Sequence, residues 1–176
     1  MATAATAIVT FSEFEQLPDP SGSRLELHNG EVVDVPPPAH DHKILQRIIR
    51  RALESVLPSD LIVETEVGFK LGEAEYRVAD VAVMGSDLWR SVPCGRFLEV
   101  APPVVIEVLS PSNSATEMYT KEQLCLENGC REFWVVNPRN QTVRISTPTG
   151  PSTTWKSGDQ IPLLYGGTLP VNAIFA

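Results

Sequence analysis

The sequence predicts a single α/β domain in which a central sheet is covered by helices on at least one side. Three observations carry this. The chain has 176 residues, the length of one domain rather than two, and a folded monomer of that size buries about 70% of the surface its unfolded chain would expose. The runs Val-Val-Ile at 104–106 and Phe-Trp-Val-Val at 133–136 have the unbroken apolar character of strands buried on both faces. Around them lie stretches whose apolar residues recur with helical rather than strand spacing.

In chain order, Ser12 and Glu15 have the spacing of a capping box, so a short helix over 12–17 is expected to end before Pro18, with Phe11 and Phe14 closing over the core. Residues 24–28 and 31–35 flank Asn29-Gly30, the dipeptide that supplies both positive-φ positions of a type I′ hairpin turn. Three prolines at 36–38 end the second strand by removing three consecutive backbone donors. From 41 to 57 apolar residues recur at Ile44, Leu45, Ile48, Ile49, Leu53, Val56 and Leu57, a helical stripe with Lys43, Arg47, Arg50 and Glu54 on the opposite face and Pro58 as its stop. Strand patterning follows over 61–71, 76–84, 104–109, 132–137 and 142–147. One more helix is legible at 114–127, ended by Asn128-Gly129. From Gly150 the chain is rich in Gly, Pro, Ser and Thr, which predicts an irregular β-like wrap.

Composition narrows the function classes. Hydrophobic residues make up 43% and charged residues 20% of the chain, with no apolar run near the roughly 18 residues of a membrane span. Residues 1–7 carry no basic residue ahead of a short apolar patch, unlike a secretory signal, so the expected location is cytoplasmic. Cys94, Cys125 and Cys130 form no CxxC pair and are expected as free thiols that pack. The net charge of −8 lacks the global basic character of most nucleic-acid binders. A phosphate partner would have to meet a local patch, and Lys43, Arg47, Arg50 and Arg51 form one without an acidic residue among them.

Acidic residues inside apolar strands are the chemical anomaly, because a buried carboxylate costs several kcal/mol unless a cation or donors meet it. Asp80 lies within Arg-Val-Ala-Asp-Val-Ala-Val and Glu107 within Val-Val-Ile-Glu-Val-Leu. On neighbouring strands the two could converge on one hard divalent cation; alternatively each pairs with an arginine, Arg77 or Arg144. Lys121, on the helix that follows the turn at 110–113, could fold back over the strand end and place an ammonium near such an ion, or it could lie on the surface. Glu26 is a third carboxylate among apolar neighbours, although strict alternation would turn it to solvent, opposite Leu25 and Leu27. His40 and His42 do not share a helix face, so a helix-start role is simpler for them than joint metal binding.

The series Leu25-Glu-Leu-His-Asn-Gly-Glu31, a His before a basic amphipathic helix, Ala79-Asp-Val-Ala-Val83, Val105-Ile-Glu-Val-Leu-Ser-Pro-Ser112, Lys121, Glu132-Phe-Trp-Val-Val-Asn-Pro138 and Leu169-Pro170 resembles the bacterial putative restriction endonuclease family, domain of unknown function 820, of the PD-(D/E)XK nuclease superfamily. The resemblance runs over about 11–175; the motifs are individually weak and specific in their order and spacing. It implies a restriction-endonuclease-like core with a mixed, mostly antiparallel sheet flanked by helices, in one domain over 1–176 with residues 1–10 flexible.

It also implies that Asp80, Glu107 and the Val108 carbonyl hold Mg²⁺ or Mn²⁺, and that Lys121 is the catalytic lysine. Glu26 would be a carboxylate near the metal, and His42 the supporting His at the helix start. The superfamily lysine normally lies two residues after the Glu, where this chain has Leu109, so the lysine would come from the following helix. Three positions depart from the family pattern: Ala79 stands for the usual Pro, Cys125 for a frequent Tyr and Glu117 for a common Asp. The expected activity is metal-dependent endonucleolytic hydrolysis of DNA, with Lys43, Arg47 and Arg50 on the phosphate backbone, no membrane partner and a homodimeric assembly. Two alternatives accompany it: an inactive nuclease-fold module that binds nucleic acid or protein, and a zinc hydrolase built on His28, His40 and His42.

Overall fold

The computed structural model describes residues 8–18, 20–110 and 114–176. In chain order these form α1 (Phe11–Phe14), β1 (Arg24–His28), β2 (Glu31–Val35), α2 (His40–Glu54), β3 (Leu61–Lys70), β4 (Tyr76–Gly85), α3 (Ser86–Ser91), β5 (Val104–Val108), α4 (Ala115–Glu127), β6 (Glu132–Asn137), β7 (Thr142–Ser146), β8 (Thr153–Lys156), β9 (Gln160–Pro162), β10 (Thr168–Pro170) and α5 (Val171–Ile174). The expected flexibility of 1–10 falls outside the described residues as far as 7, and the expected turn at 110–113 beyond Ser110. Of the described N-terminal residues, Val9 donates its N–H to the Gly30 carbonyl at 2.9 Å.

Among the described residues the main sheet runs β2-β1-β4-β5-β6-β7-β8, with β3 also on β4, and β9 and β10 make a separate ribbon. The pairings in the main sheet are antiparallel except β5 with β6. That parallel pair requires a crossover, which α4 supplies. The fold is therefore the mixed, mostly antiparallel sheet flanked by helices that the sequence predicts.

Both faces of the sheet are covered. Val104, Ile106 and Val108 of β5 and Trp134 and Val136 of β6 pack with Leu45, Ile49 and Leu53 of α2, while Val105, Phe133 and Val135 pack with Met118 and Cys125 of α4. All five β5 residues are buried, which is why that segment reads as a continuous apolar run. The β1–β2 hairpin has the predicted register, Arg24↔Val35 to His28↔Glu31, and its turn places Asn29 at φ 50° and Gly30 at φ 79°.

Several local expectations are corrected. The first capping box is Thr10 with Glu13, not Ser12 with Glu15: Val9 and Phe11 donate to the Gly30 and Glu73 carbonyls, which holds the chain extended up to Thr10. α2 begins at His40 and ends at Glu54. Its inward stripe is rotated from the predicted one, since Ile44 is 43% exposed and Gln46 only 3%. Cys94 is exposed, whereas Cys125 and Cys130 are buried, and burial pushes both buried thiols up, that of Cys130 to about 12. The short helices α3 and α5 and the ribbon of β9 and β10 were not legible individually.

Candidate active site

β4 divides one of its edges between two partners. Its other edge pairs with β3 along its length, but on this side Val81, Ala82 and Val83 pair with β5 and Tyr76 pairs with Leu27 of β1. The residues between, 77–80, line a fork where β1 and β5 part. Buried backbone groups in a fork need partners other than a strand, and side chains supply them. The Lys121 ammonium donates to the Val78 carbonyl at 2.8 Å, and Oδ2 of Asp80 accepts the Val108 N–H at 2.8 Å. The residues expected to carry chemistry thus also close the backbone of the fork.

Side-chain alternation slips at the same point. Val81 and Val83 face the α2 core and Ala82 and Met84 the α4 core, yet Ala79 also lies in the α4 core, so Asp80 interrupts the pattern. On β3, Val63 and Val67 are four residues apart but belong to opposite cores, and between them Glu66 has a left-handed φ of 56°. The paired slip turns Asp80 toward α2 at a point where regular pleating would have buried an apolar side chain.

Four other side chains complete the cluster. Lys121 Nζ lies 2.8 Å from Glu107 Oε1, with side-chain exposures of 11% and 8%. The two form a buried ion pair, and among the described residues that carboxylate oxygen meets no other donor. Glu26 is 4% exposed, not solvent-facing as alternation suggested, and contacts His28 Nε2 at 3.0 Å and Arg24 Nε at 3.3 Å. His42 Nε2 is 3.0 Å from Asp80 Oδ2, and Gln46 Nε2 donates to Asp80 Oδ1 at 3.0 Å.

Charge sorts these groups. Burial pushes Glu107 up to about 7, and the negative charges of Asp80 and Glu26 add to it against the opposing pull of Lys121. Burial acts in the same direction on Asp80, but the His42 hydrogen bond, the charges of His42 and Lys121 and the Val108 N–H outweigh it and hold Asp80 below the usual carboxylate range. Glu26 is likewise held low against its burial, by His28, Lys121 and Arg24. Burial would lower the Lys121 pKa, yet the surrounding Glu107, Glu26 and Asp80 raise it. The His42 pKa is raised, chiefly by its hydrogen bond to Asp80. The result is one firmly protonated lysine, two firmly ionised carboxylates and a third poised near neutrality.

The arginine alternative does not describe these carboxylates: Arg77 pairs with Glu75 and Arg144 with Glu122. Nor do the histidines converge, since His28 meets Glu26, His42 meets Asp80 and His40 is exposed. On α2, Lys43 and Arg47 are exposed, while Arg50 is occupied by Glu54 and Glu64. Sequence reasoning missed Gln46, Glu66 and Arg24. Gln46 Nε2 also donates to Glu66 Oε1 at 2.5 Å, and Arg24 bonds both Glu66 and Glu26. The available signal was spacing: Gln46 lies one turn after His42 on the face that continues to Ile49 and Leu53.

Buried carboxylates entering one fork from two strands, with Glu107 Oε1 met by no donor but Lys121 among the described residues, fit a hard divalent cation by their chemistry. Among the described residues no three His, Cys, Asp or Glu side chains stand as a ready-made ligand set, so Asp80 and Glu107 would share an ion with water, as Mg²⁺ commonly accepts. Val108 presents its N–H to Asp80. A groove of about 740 Å³ between Phe11, Lys70 and residues 88–100 includes none of these side chains in its lining.

No helix among the described residues is long and apolar enough to cross a membrane. No curated protein matches the chain. A crystal structure from Anabaena variabilis, of a putative nuclease belonging to domain of unknown function 820, aligns with a TM-score of 0.82 over 95% of this chain and 97% of its own, at 22% identity, a likeness of fold. The family profile described as "Putative restriction endonuclease" matches residues 11–165, and the chain belongs to that family.

Proposed function

We propose that this protein is a divalent-metal-dependent endonuclease that hydrolyses DNA phosphodiester bonds at the fork along β4 where β1 and β5 part. The observation that carries the reading is the buried ion pair of Lys121 with Glu107, near the buried carboxylates of Asp80 and Glu26 whose charges raise the Lys121 pKa. A protein that only binds has no need of such a cluster, because burying charges is costly and an apolar replacement would be as stable or more so.

Asp80 and Glu107 would hold Mg²⁺ or Mn²⁺. When bound, such an ion supplies Lewis acidity toward the scissile phosphate. His42 keeps Asp80 ionised from one side and the Val108 N–H orients it from another. Lys121 keeps its proton among three carboxylates, so its Nζ offers positive charge to the negative charge that develops on the phosphate and can orient the attacking water. Glu107 near neutrality is suited to give up a proton when a cation arrives. Lys43 and Arg47, exposed on α2, supply phosphate contacts without base reading, with Arg50 contributing less while its acidic partners hold it. A homodimer would let two such sites act on both strands.

The test is incubation with supercoiled, linear and single-stranded DNA in Mg²⁺ or Mn²⁺, with EDTA and Glu107→Ala as controls. Metal-dependent cleavage lost in both controls is expected. Metal-insensitive DNA binding without cleavage would put the binding-module reading ahead, which the net charge of −8 does little to favour for nucleic acid.

A further inference from the structure

Gln46 is a buried polar side chain, 3% exposed, on a helix face otherwise occupied by Leu45, Ile49 and Leu53. An amide in that setting is expected to have its hydrogen bonds satisfied, and its partners are informative. Its Nε2 lies 3.0 Å from Asp80 Oδ1 and 2.5 Å from Glu66 Oε1. Both partners are acceptors only, so the nitrogen faces them with one N–H each, which settles the orientation of the amide. Asp80 is then gripped at both oxygens: Oδ1 by Gln46, and Oδ2 by the Val108 N–H and His42.

Glu66 has no other evident reason for its conformation. It is a non-glycine residue at φ 56° in the middle of a strand, a state that costs on the order of 1–3 kcal/mol and persists where surrounding contacts over-determine it. Those contacts are Gln46 and Arg24, and Arg24 also bonds Glu26. A continuous chain of contacts therefore runs from Glu26 through Arg24, Glu66 and Gln46 to Asp80. It ties β1, β3 and α2 to the carboxylate on β4.

We infer that Gln46 is a positioning residue for Asp80, with Glu66 as the anchor that fixes the direction of its amide. This deepens the metal-nuclease reading and rests on it. Without the amide, Asp80 could rotate about its side-chain torsions, and it and Glu66 would approach with no donor between them. Outer-shell partners of metal-ligating carboxylates contribute to affinity by holding the ligand in place, and their loss typically costs about 10–100-fold in metal affinity or activity.

Gln46 also links α2 to β3, so the experiment must separate an anchor for Asp80 from a tie between elements. Mn²⁺ affinity by titration calorimetry, thermal unfolding and cleavage of supercoiled DNA are measured for the wild type, for Gln46→Met and for the exchange Gln46→Glu with Glu66→Gln. The exchange keeps a donor–acceptor pair between positions 46 and 66 but presents an acceptor to Asp80. The expected result is about 10–100-fold weaker Mn²⁺ binding in Gln46→Met, with a fall in kcat and little change in KM for DNA. The exchange should melt nearer the wild type than Gln46→Met does, without recovering affinity. Unchanged Mn²⁺ affinity in Gln46→Met, or recovery of affinity by the exchange, overturns the inference while leaving the nuclease reading intact. A wild type that binds no Mn²⁺ overturns both. Should Gln46→Met fail to fold, the exchange alone decides, since recovery or loss of affinity in it is diagnostic.

Discussion

α2 and α4 cover opposite faces of the same strand pair and both send polar side chains to the fork, but they are built differently. α2 has a continuous apolar stripe of Leu45, Ile49 and Leu53, and its inward polar residues, His42 and Gln46, lie in its first two turns. In α4 the buried residues are Met118, Glu122 and Cys125, with Lys121 largely covered among them. Two of those four positions are charged, so the packing of α4 depends on partners elsewhere: Glu107 and the Val78 carbonyl for Lys121, Arg144 for Glu122. α2 is therefore held by apolar area and carries its polar residues as guests, whereas α4 is held in part by the ion pairs it makes.

The comparison breaks most visibly if charge is removed under α4. Arg144→Ala leaves Glu122 buried without its cation, and a loss of about 3–5 kcal/mol in denaturant unfolding is expected. Ile49→Ala on α2 creates a cavity and should cost a comparable about 2–5 kcal/mol. Only the first should be relieved by adding Glu122→Gln, which removes the uncompensated buried charge. Equal relief of the two variants by that change would contradict the contrast.

Lys121→Met retains the bulk of the side chain on α4 and removes its charge. Cleavage should fall by about 10²–10³-fold, while calorimetric metal binding persists. Full activity would mean that the ammonium only caps Val78 and balances charge.

Glu107 gives a subtler test. Its pKa in the fold lies above the ordinary carboxylate value, at about 7. Its favourable contribution is therefore complete below the unfolded pKa and is lost as pH rises through about 7. Without divalent ions, the stability difference between the wild type and Glu107→Gln should move in favour of the variant by about 2–3 kcal/mol between pH 4 and pH 8. Saturating Mg²⁺ should cancel or reverse this movement, and the same movement with and without Mg²⁺ would remove Glu107 from the metal's ligands.

The smallest expected effect is on the solvent face of α2. Replacing Lys43 and Arg47 by Ala should leave stability within about 0.5 kcal/mol and reduce the log–log salt slope of DNA binding by about 2. Adding Arg50→Ala should change the slope less than either, because Arg50 is already held by Glu54 and Glu64. A slope unaffected by all three would place the DNA elsewhere.

Legibility followed the range of the interactions. The β1–β2 hairpin was readable to the residue because Asn29-Gly30 imposes its own turn. α4 was readable from Ser114, whose side chain and Glu117 complete a capping box within four residues. The first cap was misplaced because Thr10 is chosen by backbone bonds to Gly30 and Glu73, distant in sequence. Asp80 and Glu107 were conspicuous because charge in an apolar strand is anomalous in itself, whereas Lys121, an ordinary residue for a helix, was singled out by the family resemblance. Gln46 and Glu66 were not, because an uncharged amide on a basic helix and a glutamate in a strand are unremarkable until the fold buries one and gives the other a left-handed backbone.

Signals within a few residues of one another set most of the helices and strands, and composition along the strands set the two-sided burial of the central ones and the presence of carboxylates that an apolar core would not tolerate alone. The division of one β4 edge between β1 and β5 arises only in the folded protein, since strand pairing between residues as far apart as Val83 and Val104 or Leu27 and Tyr76 leaves no local trace. From that division comes the fork, and the fork's unpaired Val78 carbonyl and Val108 N–H draw Lys121 and Asp80 into one place. Local chemistry chose the side chains; the unmet hydrogen bonds of a divided sheet edge brought them together.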